Sequence, residues 1–245
     1  MIHILQKYGM LFLVGPWPHG PLGGLGATLI LAGLGLAGSL PIALLLGLAR
    51  ISPWRLLRWP ASAWVYGLRG IPLIMIIFWA YYLLPVIIGD TVPPFPTALC
   101  AIIVYEAAFL AEIVRAGIQG LPPGQMEAAR SAGLSYVQAM VHVVLPQALA
   151  NMLPSMVNQF VSTIKATSIV YIIGVQEITY VAQQINTIEV ADALQTYLIL
   201  AIAYFLLCMA LSSLAKTIER RLRLRQAGVS RPAGRPIRPQ FGEAQ

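Results

Sequence analysis

Seven polar side chains crowd one apolar stretch of this chain: Asn158, Gln159, Ser162, Thr163, Lys165, Thr167 and Ser168. At helical spacing Asn158, Ser162 and Lys165 share one stripe, with Gln159 and Thr163 on the adjoining one. Amide, hydroxyl and ammonium groups so arranged can escort a small polar solute, and an ionisable side chain within a membrane span suggests function by default because burying it is expensive. Lys165 can meet a solute carboxylate, hold the packing of a central cavity, snorkel to the outer headgroups, or pair with an acid on a neighbouring helix, for which Glu106 is the obvious choice. The sequence leaves these open.

Two further groups stand out. Glu112 and Arg115 are spaced i, i+3, which suits a local salt bridge, and with Arg69 they read as structural or gating residues rather than solute contacts. The stretch "GQMEAARSAGLSYVQAM" from Gly124 is neither apolar enough to cross a bilayer nor disordered in composition. Its Glu127-Ala128-Ala129-Arg130 favours helix, Gly133 breaks it, and Ser135 can cap a second short helix to about Val144.

Enzyme chemistry finds no footing. His3, His19 and His142 are scattered, no Ser/His/Asp set or metal-ligand spacing occurs, and no Gly-x-x-x-x-Gly-Lys-Ser/Thr is present to cradle nucleotide phosphates. Cys100 and Cys208 lie inside apolar runs and read as small buried hydrophobes.

These groups need elements to hold them. Of 245 residues 58% are hydrophobic and 10% charged, with mean hydropathy +0.75, far from soluble averages. Against the roughly 20 apolar residues that span a bilayer, five runs appear: about 24–48, 62–88 with "RGIP" early in it, 96–117, 146–175 and 194–215. The fourth carries more polar residues than lipid tolerates on every side, so one face must line protein or water. The expected fold is an all-α membrane protein of five transmembrane helices, with a cytoplasmic helical insert at about 120–145 between the third and fourth.

Charge sets the orientation. Of the 16 Lys and Arg, 14 fall on one side of these runs, while Asp90, Glu177, Glu189 and Asp192 occupy the opposite loops. The positive-inside rule puts the N-terminus outside and the basic tail in the cytoplasm. The net charge of +7 is thereby explained by topology rather than by nucleic acid. Residues 1–23 read as a retained outer segment, since "GPWPHGP" poorly matches a cleaved leader, residues 24–217 as the membrane domain, and 218–245 as a basic tail, disordered from about Gln226.

Residue order in the insert adds a resemblance. Glu127-Ala128-Ala129, then Gly133, then Leu145-Pro146 resembles the EAA loop of bacterial ABC-importer permeases. "AEIVRAGIQGLPPGQ" before it, "LPQALANMLPSMVNQFVSTIKATS" after it, "RGIPLI" and "IERRL" are similar to the polar amino acid branch of that family, over roughly residues 23–225.

The resemblance implies a permease subunit, not an enzyme. Glu127, Ala128, Ala129, Arg130, Gly133 and Ser135 would form a coupling helix docking on a separate ATPase subunit, present in two copies and holding the ATP and Mg; this chain itself would bind no cofactor. It further implies a second permease half (a like copy or a sister subunit), an extracytoplasmic amino acid-binding protein, and a place in the bacterial inner membrane. Asn158, Gln159, Ser162, Lys165, Thr167 and Ser168 would line the solute path. The family often reads Lys-Asp-Thr-Ser where this chain reads Lys165-Ala166-Thr167-Ser168. With no carboxylate on that face a cationic solute lacks its counter-charge, so an acidic or neutral polar amino acid is expected. The competing reading is an ion-gradient-driven secondary transporter, which calls for internal repeats or broken helices with acids at mid-membrane; only Glu106 offers such an acid.

Overall fold

The computed structural model describes residues 1–229, and every regular element among them is helical. The Arg-rich remainder of the basic tail, including Arg231, Arg235 and Arg238, lies outside the described residues. Inner and outer below follow the orientation given by charge.

A short helix α1 (Ile2–Val14) precedes the first span, α2 (Gly24–Ile51). The second span is broken: α3 (Arg55–Arg69) is followed by α4 (Leu73–Phe78), a π-helical turn Trp79–Leu83 and α5 (Leu84–Ile88), and Leu73–Ile88 is bent 99° from α3. The continuous run expected over 62–88 is therefore corrected. Pro72 has no amide donor and disfavours helical geometry at Ile71, so the helix ends at Gly70 and restarts. Then come α6 (Pro94–Gln119), α7 (Gly124–Ser131) and α8 (Tyr136–Ala139), a second π turn Met140–Val144, α9 (Leu145–Ala166) and a 3-10 stretch Thr167–Ile173. Last are α10 (Ile178–Ile188) and α11 (Ala193–Val229).

Four helical segments are long and apolar enough to cross a membrane, or five with the bent pair as one span. The expected five-span architecture is present. One joint differs from expectation: the second helix of the insert is not a separate member of a compact pair but continues into the fourth span, which runs from Tyr136 to Ile173 over 38 residues. Pro146 does not interrupt it, because the preceding turn has already opened to π spacing and leaves room for a residue lacking a donor.

The helices meet through small residues. On α2, a Cβ placed at Gly35 would lie 2.7 Å from Ile102 and one at Gly47 2.6 Å from Val114, so α2 and α6 run side by side in fixed register at near-backbone contact. Ala43, Val65, Ala108 and Ala111 pack the middle of the bundle, and Leu31, Ile77, Ile102 and Val170 the outer half. Cys100 proves exposed and Cys208 half-buried rather than buried.

Outside the spans, α10 lays Ile178, Val181 and Ile185 against Ile4 and Phe12 of α1 and Ile199 of α11. Lys7 closes this outer collar by donating to Glu189 at 2.6 Å.

Candidate functional site

The stripe read from sequence lies on one open face of α9. Asn158, Ser162 and Lys165 are exposed, and Asn151 and Ser155, not singled out from sequence, extend the same row two turns inward. The adjoining row turns into the bundle. Gln159 donates Nε2 to Oε2 of Glu106 at 2.8 Å, and Glu106 is only 1% exposed. Gln159, not Lys165, is therefore the partner of the buried acid.

The hydroxyls beyond it are occupied by their own helix. Thr163 donates to the carbonyl of Gln159 at 2.9 Å, Thr167 to that of Ile164 at 2.7 Å, and Ser168 to that of Lys165 at 2.7 Å. Thr167 is fully buried, so its hydroxyl serves the helix end, whereas Asn158, Ser162 and Lys165 keep their polar atoms open.

At the inner end three arginines from three helices converge on one carboxylate. Arg50 of α2 and Arg115 of α6 bond Glu112 directly, and Arg69 of α3 approaches it at 3.6 Å. The Arg50 side chain is 2% exposed, its guanidinium lies 5.0 Å from the Tyr66 ring centroid, and its Nε has no partner among the described residues. Arg69 stacks over Phe109 at 5.4 Å. The i, i+3 pair was legible in sequence; the convergence of Arg50 was not, because it depends on the register between α2 and α6. Beside this cluster a cleft of about 360 Å³ opens between α6 and α9, lined by Glu112, Gly117, Asn151, Met152 and Ser155 among others. The cluster and the open stripe thus share one inner mouth.

The insert is built as a rigid piece. Glu127, Ala128 and Arg130 are exposed while Ala129 is buried. Gly133 takes φ +88°, a left-handed conformation that costs an ordinary residue about 1–2 kcal/mol. Ser135 forms a full capping box with Gln138, accepting from its amide at 3.3 Å and donating its own amide to Oε1 at 2.9 Å. Met126 packs against the Met140–Val144 turn, and Gln147 donates to Gln125 at 3.2 Å. α7 is thus packed against and hydrogen-bonded to the start of α9.

One buried acid escaped the sequence reading, which saw it only as an outer-loop charge. Glu177 is fully buried, caps α10 by accepting from Tyr180 N at 2.9 Å, and accepts from the Tyr204 hydroxyl at 3.0 Å. Beside it Ile178 N donates to Thr28 at 3.2 Å, and Gly24 N to the carbonyl of Gln176 at 2.9 Å. Burial pushes the Glu177 carboxyl up to about 7. Tyr204 is part of this tie between α2, α10 and α11.

A family model described as binding-protein-dependent transport system inner membrane component matches residues 39–224. The chain is 37% identical over 197 residues to the probable glutamine ABC transporter permease protein GlnM of Bacillus subtilis (strain 168), covering 80% of this chain and 89% of that protein. It is likewise 37% identical over 200 residues to the L-cystine transport system permease protein TcyB of the same strain, covering 82% and 85%. Among solved structures, a crystal structure of an amino acid ABC transporter with histidines superposes with a TM-score of 0.79 at 33% identity, covering 89% of this chain and 96% of that one.

Proposed function

The chain belongs to the family of binding-protein-dependent transport system inner membrane components and is a permease subunit of the amino acid ABC importers; from that premise we propose that it moves an acidic or neutral polar L-amino acid inward, driven by ATP bound with Mg on a separate subunit. Family membership favours this over an ion-gradient-driven secondary transporter.

The observation that carries the proposal is continuity. The exposed Glu127–Arg130 face of α7 is locked to the Met140–Val144 turn, and that turn leads without a break into the helix bearing Asn158, Ser162 and Lys165. ATPase closure would push α7 and so turn the solute-facing stripe, exchanging inward- and outward-open states. The stripe is open on the single chain, as a path shared with a second permease half requires, whether that half is a like copy or a sister subunit. Solute would arrive from an extracytoplasmic binding protein. Lys165 supplies the positive charge for a solute carboxylate, and Ala166 leaves that face without an acid for a cationic solute. Arg69, Glu112 and Arg115, joined by Arg50, act as the inner gate. In this reading the N-terminus is outside the inner membrane and the basic tail inside.

The test is uptake into proteoliposomes holding the permease, its ATPase and its receptor, with glutamine, glutamate and arginine as competing solutes. Uptake should require ATP, and arginine should not compete; Lys165→Ala should lose glutamate before glutamine. Gly133→Leu meets open space, so the chain still folds, but the left-handed turn is displaced; ATP hydrolysis should persist while uptake falls at least about tenfold. Full coupled uptake by Gly133→Leu would contradict the lever.

A further inference from the structure

On the inner flank an apolar groove of about 340 Å³ lies between α2, α3 and α8, outside both the solute stripe and the arginine cluster. Leu45 and Leu48 line it from α2, Leu57 from α3, and Val137, Met140 and Val141 from α8 and the following π turn. Leu45, 70% exposed, sits six residues before the end of α2, about 9 Å of helix rise. The groove therefore reaches into the hydrocarbon layer and does not end at the cytoplasmic surface.

The residues on either side of Leu57 in the chain have the opposite character. Trp54, Arg55, Leu56, Arg58 and Trp59 are all exposed, and neither arginine makes an ion pair among the described residues. The exposed first turn of α3 precedes the point where Ala61 and Val65 enter the bundle, and α3 is bent 99° from Leu73–Ile88, so this end of the helix shows its basic and aromatic residues at the level of the interface. Tryptophan beside arginine at that level matches the headgroup zone of the cytoplasmic leaflet, whose charge is negative.

We propose that this groove binds one anionic phospholipid of the cytoplasmic leaflet, with Arg55 and Arg58 taking the phosphate and an acyl chain lying along Leu45, Leu48, Met140 and Val141. The arginines supply charge complementarity and the groove supplies the apolar wall beneath it. A docked ATPase is the competing occupant, and the depth at Leu45 disfavours it, because a soluble subunit does not enter the hydrocarbon. Since Val137, Met140 and Val141 belong to the segment joining α7 to α9, the bound lipid also braces the transmission between them.

The test is lipid retention by the purified full-length permease in detergent, measured by native mass spectrometry during titration with phosphatidylglycerol or phosphatidylcholine. Wild type should retain phosphatidylglycerol preferentially. The Arg55→Gln/Arg58→Gln pair should weaken it by about fivefold per arginine, roughly thirtyfold together, and Arg55→Lys/Arg58→Lys should restore most of it. Ala49→Phe, which fills the groove and leaves the arginines, should weaken long-chain more than short-chain phosphatidylglycerol. Equal retention of the two lipids by wild type would overturn the proposal. So would competition by inorganic phosphate equal to that by lipid, or loss of ATPase co-purification by the Gln pair with lipid retention unchanged, which would assign the surface to an anion or to the ATPase. A failed transport reading would appear in the uptake assay and leave lipid retention unaltered.

Discussion

Glu177 shows what burial does to a residue that looks ordinary in the sequence. Its carboxyl, pushed to about 7 from an ordinary 4.5, binds a proton more tightly in the folded chain than in the unfolded one. A group raised in this sense stabilises the fold fully below about pH 4.5, and that contribution is lost as pH rises through 7; the difference is about 3 kcal/mol. Tyr204 and the hydroxyls of Thr28 and Thr179 are polar side chains around it, and among the described residues no ion pair offsets the charge. The purified permease should melt at lower temperature at pH 8 than at pH 5, and Glu177→Gln, which keeps an acceptor but cannot ionise, should flatten that slope. Equal slopes would remove Glu177 as its source. What sequence could yield at this scale was local: the Glu112–Arg115 pair and the Ser135 cap are separations of three residues along one helix. Arg50 with Glu112, Gln159 with Glu106 and Glu177 with Tyr204 lie 62, 53 and 27 residues apart, and only packing brings them together.

Among the elements, boundaries set by hydropathy were legible: α2 and α6 begin and end within a few residues of the apolar runs. The outer helices α1 and α10 were not, because each is too short to stand out as a span and gains its stability from the other and from α11. The π turns had a signal that went unread. Each ends directly before a Leu-Pro, Leu84-Pro85 and Leu145-Pro146, and each contains the residue four before the proline, whose carbonyl the ring would otherwise strike. Pro146→Ala restores a donor and should let the second turn relax to α-helix, rotating α8 against α9 by about 100°. Thermal stability should hold or rise while ATP-coupled uptake falls severalfold. Unchanged uptake would show that the turn carries no geometry that transport needs.

For the whole molecule, fold class followed from hydropathy and charge alone, since apolar runs of about 20 residues satisfy their own backbone in lipid as helices and basic loops stay inside. The break in the second span did not, although Gly70 and Pro72 were in plain view, because a proline in a span can kink it or end it and the choice rests on neighbours. The seam between α2 and α6 makes a further demand. Gly47→Leu would place its Cβ 2.6 Å from Val114 and 3.1 Å from the Ala111 carbonyl, and this overpacking should cost about 1–3 kcal/mol, read as a lower melting temperature and a smaller folded yield in detergent. A melting temperature equal to wild type would mean that the two helices are not so tightly joined.

That seam also decides which parts are free to travel. Joined this closely, α2 and α6 should keep their shape as a keel, so distance probes on the pair should report the same spacing with and without nucleotide. Any excursion would then fall to the elbow at Gly70–Pro72 and to the long rod that starts at Tyr136, and probes placed there should report the change in distance that the keel does not.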